Sequence, residues 1–366
     1  MARLHLLGLF HTIANADYSH CAFTGRVLRF GKMMLPFGHE VIEYSNEGSE
    51  AESSEYVPIL TRDQFLDLRK LTDIESPGVP HSINTSLHRE FSERLKVELS
   101  KRVQPGDIIC HPFGKAHADL GGLFPQAFHL EIGIGYPDCA FPLRVYETYH
   151  WLSWHHGKAQ TPGNAYEWVC PMGHDIDLWK VQEKPGDYLL YFGRITECKG
   201  LYTVREIARH VDMPVIICGE GDPRPFFSPD IPNLEYLPPV TGAYRSDLVG
   251  GAYAMLCPTT YIEPLCNSGI ESQLCGTPVL CSDYGAFHEI MIHGETGYRC
   301  HTLGDYLAAI NSVEGLNRAK IAERARSIYN LETVGEQMHQ IIKQVETLSG
   351  PGWFDKTPIN AVWKHI

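Results

Sequence analysis

The most restrictive feature of this sequence is a recurring alternation, in which short apolar runs of strand length are each followed by an amphipathic segment of helical period. A strand buried on both faces reads as a continuous apolar run, and joining it to a parallel neighbour requires a crossover helix, so the pattern predicts helices packed on parallel sheets. In the first half Leu4 to Phe10 reads as a strand, Ala22 to Leu35 as the helix after it, and His39 to Tyr44 as the next strand. Ser86 to Val103 is helical in period, Asp107 to Cys110 and His129 to Ile134 read as strands, and Val145 to His155 as a short helix. The acidic, serine-rich stretch SNEGSEAESSEY, from Ser45 to Tyr56, is expected to be a solvated loop.

The second half repeats the pattern more clearly. Tyr188 to Phe192, Pro214 to Cys218, Asn233 to Leu237, Ala254 to Cys257 and Pro278 to Cys281 read as strands. Gly200 to Arg209 and Asn267 to Cys275 read as helices, and Leu316 to Leu348 as a long amphipathic helical region. A chain of 366 residues suits two domains. The polar segment LWKVQEKPGD, Leu178 to Asp187, precedes the second series and sets the expected boundary. The division is then an N-terminal Rossmann-like domain over 1–180, a second over 181–345, and a tail over 346–366 packing back on the first. Two such halves face each other across a cleft, and ligands collect in strand-to-helix loops at the carboxyl ends of the strands.

Composition excludes several classes. No window of eighteen apolar residues is present, so no membrane span is expected, and the first apolar run reads as a buried strand, not a signal peptide. A net charge of −13 excludes a globally basic nucleic-acid binder and leaves a local basic groove open. The 11 cysteines form no CxxC pair, and Cys110, Cys218, Cys257 and Cys281 lie in apolar runs, as reduced thiols of a cytoplasmic protein would. Among 19 histidines there is no HExxH and no zinc spacing, so no metal site is expected, and His155-His156 reads as an exposed pair at a helix end before Gly157.

Two segments carry chemistry. In Tyr191-Phe192-Gly193-Arg194-Ile195-Thr196-Glu197-Cys198-Lys199-Gly200 a strand ends at a glycine, and two cations follow in a loop that opens a helix. Fixed positive charge, backbone N–H groups and a helix N-terminus together suit a diphosphate, although two surface cations on a solvated loop would read the same way. In Glu263-Pro264-Leu265-Cys266-Asn267-Ser268-Gly269-Ile270-Glu271 two carboxylates flank small and apolar residues. A carboxylate accepts hydrogen bonds from adjacent sugar hydroxyls, and small residues let N–H groups approach a phosphate; an N-terminal cap and an exposed helix face are the plainer alternatives.

The co-linear set GR-x4-KG, a strand ending at Gly219-Glu220-Gly221, and E-x7-E followed by CGTPVLCSDYGAFHEIMIHGETGY resembles the family-4 retaining glycosyltransferases of the GT-B fold. Val169 to Asp175 resembles that family's interdomain linker, and the likeness extends from Tyr166 to Tyr306. The resemblance implies a nucleotide-sugar donor, UDP-sugar favoured, held without an obligatory metal or other cofactor. It implies that Arg194 and Lys199 bind the diphosphate, that Glu271 holds the ribose, and that Glu263 holds the transferred sugar beside the N–H groups of Leu265 to Ser268, Cys266 and Asn267 included. Gly193 would end the strand under the phosphates, and Gly219 would admit the nucleotide, with its base near Glu220 and Tyr236-Leu237. Where the family often has Phe-Gly after the Glu-Pro pair, this chain has Leu265-Cys266, so a changed loop conformation or sugar fit is expected there.

The N-terminal half is less informative. His11 lies in the loop after the first strand, where backbone groups face the diphosphate, and His111 is placed like a family histidine that contacts the transferred sugar. Tyr136, Glu147 and His150 follow two further strands and are expected to line the acceptor side. HTIANADYSHCAFTGRV together with ETYHW also looks like viral or phage-type members, for which a modified base in DNA would be the acceptor. Arg26, Arg29, Lys32, Lys101 and Arg102 are the cations available for such a groove. Small-molecule and polysaccharide acceptors fit the sequence equally. A nucleotide-sugar epimerase or hydrolase, or a non-catalytic nucleotide-sugar-binding protein, are the competing classes. The sequence does not specify an oligomeric state.

Overall fold

A computed structural model of the chain describes residues 1–18, 21–75 and 82–348. It contains two parallel sheets, each in its own compact unit. The first sheet comprises β1 (Arg3–Leu7), β2 (Glu40–Ser45), β3 (Glu55–Pro58), β4 (Ile108–His111), β5 (Phe128–Ile134), β6 (Leu143–Tyr146) and β7 (Glu167–Val169), in the order β3-β2-β1-β4-β5-β6-β7. Its crossovers include α1 (Ala22–Met34), α2 (Arg62–Glu75), α3 (Ser86–Ser100) and the short α4 (Leu120–Leu123), while α5 (Tyr149–Ala159) lies between β6 and β7 in sequence. The second sheet comprises β8 (Leu189–Phe192), β9 (Val215–Cys218), β10 (Leu234–Leu237), β11 (Ala254–Cys257), β12 (Val279–Ser282) and β13 (Gly297–Cys300), in the order β10-β9-β8-β11-β12-β13. Its helices are α6 (Leu201–Ala208), α7 (Gly242–Gly251), α8 (Asn267–Leu274), α9 (Phe287–Ile290), α10 (Leu303–Ser312) and α11 (Arg318–Tyr329), and α12 (Leu331–Thr347) follows. Both units are Rossmann-like, and the architecture is that of the GT-B fold.

The strands form where the apolar runs predict them, because their side chains are buried on both faces: Leu4, Leu6 and Leu7 in β1 and Leu189 and Leu190 in β8 are wholly enclosed. Each such leucine contributes roughly 1.5–3 kcal/mol relative to an exposed one. Four strands escape the sequence pattern, among them β13 at the edge of the second sheet. β3 and β7 are short edge strands, and β6 occupies the start of the segment expected to be helical from Val145, the helix beginning instead at Tyr149. The acidic stretch after Ser45 is not simply solvated: it ends in β3, and Asn46 is buried with its amide bonding the carbonyls of Leu9, Phe10 and Thr12. His155 is likewise buried within α5, which runs past it to Ala159, correcting the expected exposed pair.

The units do not follow a single break in the chain. The first comprises Met1–Glu147, Gln160–Gly173 and the segment from Leu331; the second comprises Thr148–Ala159 and His174–Asn330. The long helical region expected from Leu316 is divided at Asn330, which is extended (φ −68°, ψ 159°) and bridges to His174. The α12 helix thus belongs to the first unit, against α1, burying Val334, Met338, Ile341, Ile342 and Val345 on one stripe. The expected packing of the tail concerns residues that, from 349 onward, lie outside the described residues. Among the described residues no helix is long and apolar enough to cross a membrane.

Several histidines are buried in the first unit. His39 accepts the Ala2 N–H on Nδ1 (3.1 Å) and pairs through Nε2 with His339 Nδ1 of α12 at 2.8 Å, and the His339 ring stacks on Phe37. Burial, with the neighbouring His339 charge, lowers His39 from 6.5 to about 4. Burial likewise lowers His117 to about 4, with His88 adding to the effect. A base whose pKa is depressed by folding contributes stability above its unfolded value and loses it as pH falls toward the folded one. Thermal stability should therefore decline between pH 6.5 and 4, and the slope should be shallower in His39→Asn. A melting series across that range checks this; an identical slope in the variant contradicts it.

Candidate functional site

The two sheets share one topological feature. In the second, the chain runs outward from β8 to β9 and β10, then returns past β8 to β11 and continues to β12 and β13. The loops leaving β8 and β11 therefore diverge, and a crevice opens between them at the carboxyl ends of the strands. The first sheet reverses in the same way between β1 and β4.

Every chemical motif of the second half sits at this crevice. The Gly193 N–H bonds the Cys218 carbonyl at 3.0 Å. A Cβ at Gly219 would run into the Gly193 carbonyl, so glycine is required where β8 and β9 end together. Gly200 is left-handed (φ 80°), and a side chain there would collide with the Pro258 carbonyl. That close approach seats the loop after β8 on the loop after β11, fixed by the Thr260 N–H bonding the Cys198 carbonyl at 2.8 Å. Lys199 is thereby aimed at Glu263, with Nζ 2.6 Å from Oε1 and 2.9 Å from Oε2, and it lies 5.2 Å over the Tyr261 ring. Side-chain exposure is only 16% for Lys199 and 7% for Glu263. Burial alone would lower the Lys199 pKa, but the Glu263 charge reverses this and holds the ammonium above the usual lysine range.

A second buried pair lies alongside. Glu271 on α8 is ion-paired with Arg245 of α7, whose guanidinium stacks 4.8 Å from the Phe192 ring and 5.3 Å from Trp179. Between the two pairs is the start of α8. The residue before it, Cys266, adopts a left-handed conformation (φ 68°, ψ 71°). The cysteine thus sits in a conformation that glycine takes without strain. The strain, of order 1–2 kcal/mol, is held by burying Sγ 3.7 Å from Cys257 Sγ. No side chain caps α8, so its first N–H groups stay available to an anion. Asn267 Oδ1 and Arg245 Nε are buried without a hydrogen-bond partner among the described residues.

The remaining expected residues are less uniform. Arg194 is exposed at the rim, with no ion pair among the described residues. Glu220 is exposed, and its carbonyl accepts the Ile195 N–H. Tyr236 bonds the Gly219 carbonyl at 3.3 Å. Leu265 is buried and Ser268 half-buried, so backbone groups are what they offer the crevice. His111 is fully enclosed, hydrogen-bonded to His129 at 3.0 Å and stacked 4.1 Å from Phe141. Interior packing accounts for its position, and burial lowers its pKa well below the histidine range. His11 is buried, with its carbonyl accepting from Arg69.

Tyr136 is a buried donor to Glu131, which also accepts the Ala140 and Phe141 N–H groups, and Glu147 is ion-paired with buried Arg26. His150 belongs to the second unit, where Glu289 bonds its ring and accepts the Tyr149 and His150 N–H groups at the start of α5. The cations considered for a basic groove also have local partners: Arg102 pairs with Glu55 and Glu98, Lys101 with Glu98, and Arg29 with the Gly25 and Gly173 carbonyls. Sequence reasoning missed Arg245, Tyr261 and Glu289. Of these only Arg245 had a signal, as the one cation in the helix preceding the E-x7-E segment.

Residues 176–330 match the family model described as glycosyl transferases group 1. Similar solved structures include AviGT4, a glycosyltransferase involved in avilamycin A biosynthesis, at 18% identity over 95% of this chain and 98% of that one, with a TM-score of 0.66. Sucrose-phosphate synthase from Thermosynechococcus elongatus is similar at 15% identity over 95% of this chain and 100% of that one, TM-score 0.66. HepE from Anabaena, solved with UDP and glucose, is similar at 13% identity over 94% and 100%, TM-score 0.63. At these identities the likeness establishes the fold. No curated protein sequence matches the chain.

Removing one partner of the Arg245–Glu271 pair should be costly, because a buried carboxylate loses its counter-charge. Arg245→Met should lower stability by about 3 kcal/mol, and the double variant Arg245→Met/Glu271→Leu should recover most of that loss. Chemical denaturation of the three proteins measures the coupling; additive losses would contradict it.

Proposed function

We propose that the chain is a retaining glycosyltransferase that moves a sugar from a nucleotide-sugar donor, UDP-sugar favoured, to a hydroxyl acceptor. The observation that carries this reading is the pair of buried ion pairs, Lys199–Glu263 and Arg245–Glu271, flanking the uncapped start of α8 at the switch point. Three ligand chemistries converge there: cations and N–H groups for a diphosphate, one carboxylate for a ribose, and a second for a pyranose. The group 1 match over the same residues and the UDP held by the HepE structure support the donor class.

In this reading Lys199 and the first N–H groups of α8 take the diphosphate, Arg194 closes on it from the rim, Glu271 accepts from the ribose hydroxyls, and Glu263 accepts from hydroxyls of the transferred sugar. Each carboxylate shares its cation with the ligand and need not enter the site as an uncompensated charge. The bond from the anomeric carbon to the phosphate oxygen breaks as the acceptor oxygen attacks the same face. The acceptor proton passes to the departing phosphate oxygen, so atoms and charge balance. Lys199, Arg194 and the helix N-terminus stabilise the growing negative charge, the role a metal ion has in other transferases. The first unit, with its own switch point between β1 and β4, is the acceptor half. The acceptor we favour is a saccharide or small-molecule hydroxyl over DNA, because the candidate groove cations Arg26, Arg29, Lys101 and Arg102 are engaged locally.

A nucleotide-release screen across UDP-, GDP- and ADP-sugars, with anomeric configuration read by NMR, tests the proposal. Release should require an acceptor, give a product of retained configuration, and fall by about 10²–10³ in Glu263→Gln and Lys199→Met. Acceptor-independent conversion of the donor would indicate an epimerase or hydrolase, and wild-type turnover in either variant would remove these residues from catalysis.

A further inference from the structure

The second unit carries a cavity of about 440 Å³ that includes none of Lys199, Glu263, Arg245 or Glu271. It opens at the carboxyl ends of β11, β12 and β13, on the side bounded by the first turns of α6 and α10. Its volume lies within the range of small-ligand sites, roughly 300–1,000 Å³. We propose that this groove is a second ligand site and that it takes a neutral saccharide.

Charge decides the first half of that assignment. The ionisable groups at the groove are neutralised locally: Glu206 pairs with Arg205 at 3.1 Å and Arg209 at 3.5 Å, and His301 pairs with Asp283 at 2.9 Å. Asp283 is in turn held by Arg299 at 3.0 Å and His288 at 2.8 Å. Among the described residues each of these groups already has an opposite charge beside it, so nothing at the groove singles out a charged ligand.

Hydroxyl chemistry decides the second half. Ser282 Oγ and Tyr284 OH each donate to the Thr259 carbonyl at 2.7 Å, which fixes their orientation; Ser282 Oγ also meets Tyr306 OH at 3.5 Å, while the Tyr284 oxygen keeps its lone pairs as acceptors. The Thr260 hydroxyl donates to the Cys198 carbonyl at 3.2 Å, and the Thr203 hydroxyl, without a partner among the described residues, can both donate and accept. One wall is aromatic: the Tyr202 ring is 42% exposed and is held in place by an edge-on contact to Phe226 at 5.0 Å and by the Arg205 guanidinium at 5.2 Å. A rigid ring beside a row of oriented hydroxyls matches a pyranose, which presents an apolar C–H face and a rim of hydroxyls. The site does not depend on the donor assignment, and either can fail without the other.

The test uses the full chain and three neutral disaccharides, maltose, cellobiose and lactose, observed by saturation-transfer difference NMR with and without excess UDP. At least one should show transfer to its pyranose C–H protons, unchanged by UDP. The signal should fall about fivefold or more in Tyr202→Ala, the loss expected from removing one aromatic contact of about 1 kcal/mol, and should vanish in Thr203→Trp, which fills the groove. Melting temperature confirms that each variant is folded, and exposed Tyr202 decides the matter if Thr203→Trp does not fold. No transfer to any of the three sugars, displacement by UDP, or a signal retained in the variants overturns the proposal.

Discussion

The second unit is organised around a constraint between two charges. Lys199 and Glu263 are 64 positions apart in sequence and both largely buried, and neither is tolerable there alone. Their meeting requires the loop after β8 to lie on the loop after β11, which in turn requires glycine at position 200 and adjacent strands that leave the switch point in opposite directions. The ion pair, the glycine and the sheet order therefore form a single arrangement. Its by-product is a crevice in which a cation, two carboxylates and an open helix N-terminus are held in fixed relation before any ligand arrives, which is the condition under which electrostatic stabilisation is most effective.

The start of α8 shows what this arrangement costs. A cysteine in the left-handed region is strained, and such strain persists only where the surroundings over-determine it. Here Sγ is buried beside Cys257 and against Gly269, while the following N–H groups face the crevice. Arg245 makes a complementary contribution: one nitrogen meets Glu271 and its plane stacks on Phe192, a geometry available to guanidinium and not to ammonium. Arg245 Nε and Asn267 Oδ1, buried without a hydrogen-bond partner among the described residues, lie in the same neighbourhood.

The second unit was largely legible in the sequence because its strands are continuous apolar runs and its chemistry follows them directly in strand-to-helix loops. Arg194, Lys199, Glu263 and Glu271 could be read from spacing. Arg245, in the first turn of α7, left a weaker signal, being only the one cation of the helix that precedes the E-x7-E segment. The first unit was legible in its central strands only. Edge strands β3 and β7 are too short to show a period, and several polar residues of this unit have interior partners: Tyr136 bonds Glu131, Glu147 pairs with Arg26, and His111 packs with His129 and Phe141. The split of the C-terminal helical region at Asn330 was hidden because both helices keep the same amphipathic period across it.

The central claim is that the crevice between β8 and β11 is a nucleotide-diphosphate site. The crystal structure of the full chain soaked with UDP tests it directly. The diphosphate should lie within hydrogen-bonding distance of Lys199 Nζ and the Asn267 and Ser268 N–H groups, with ribose hydroxyls on Glu271. UDP bound elsewhere, or no UDP bound at saturating concentration with the Lys199–Glu263 pair intact, would contradict it.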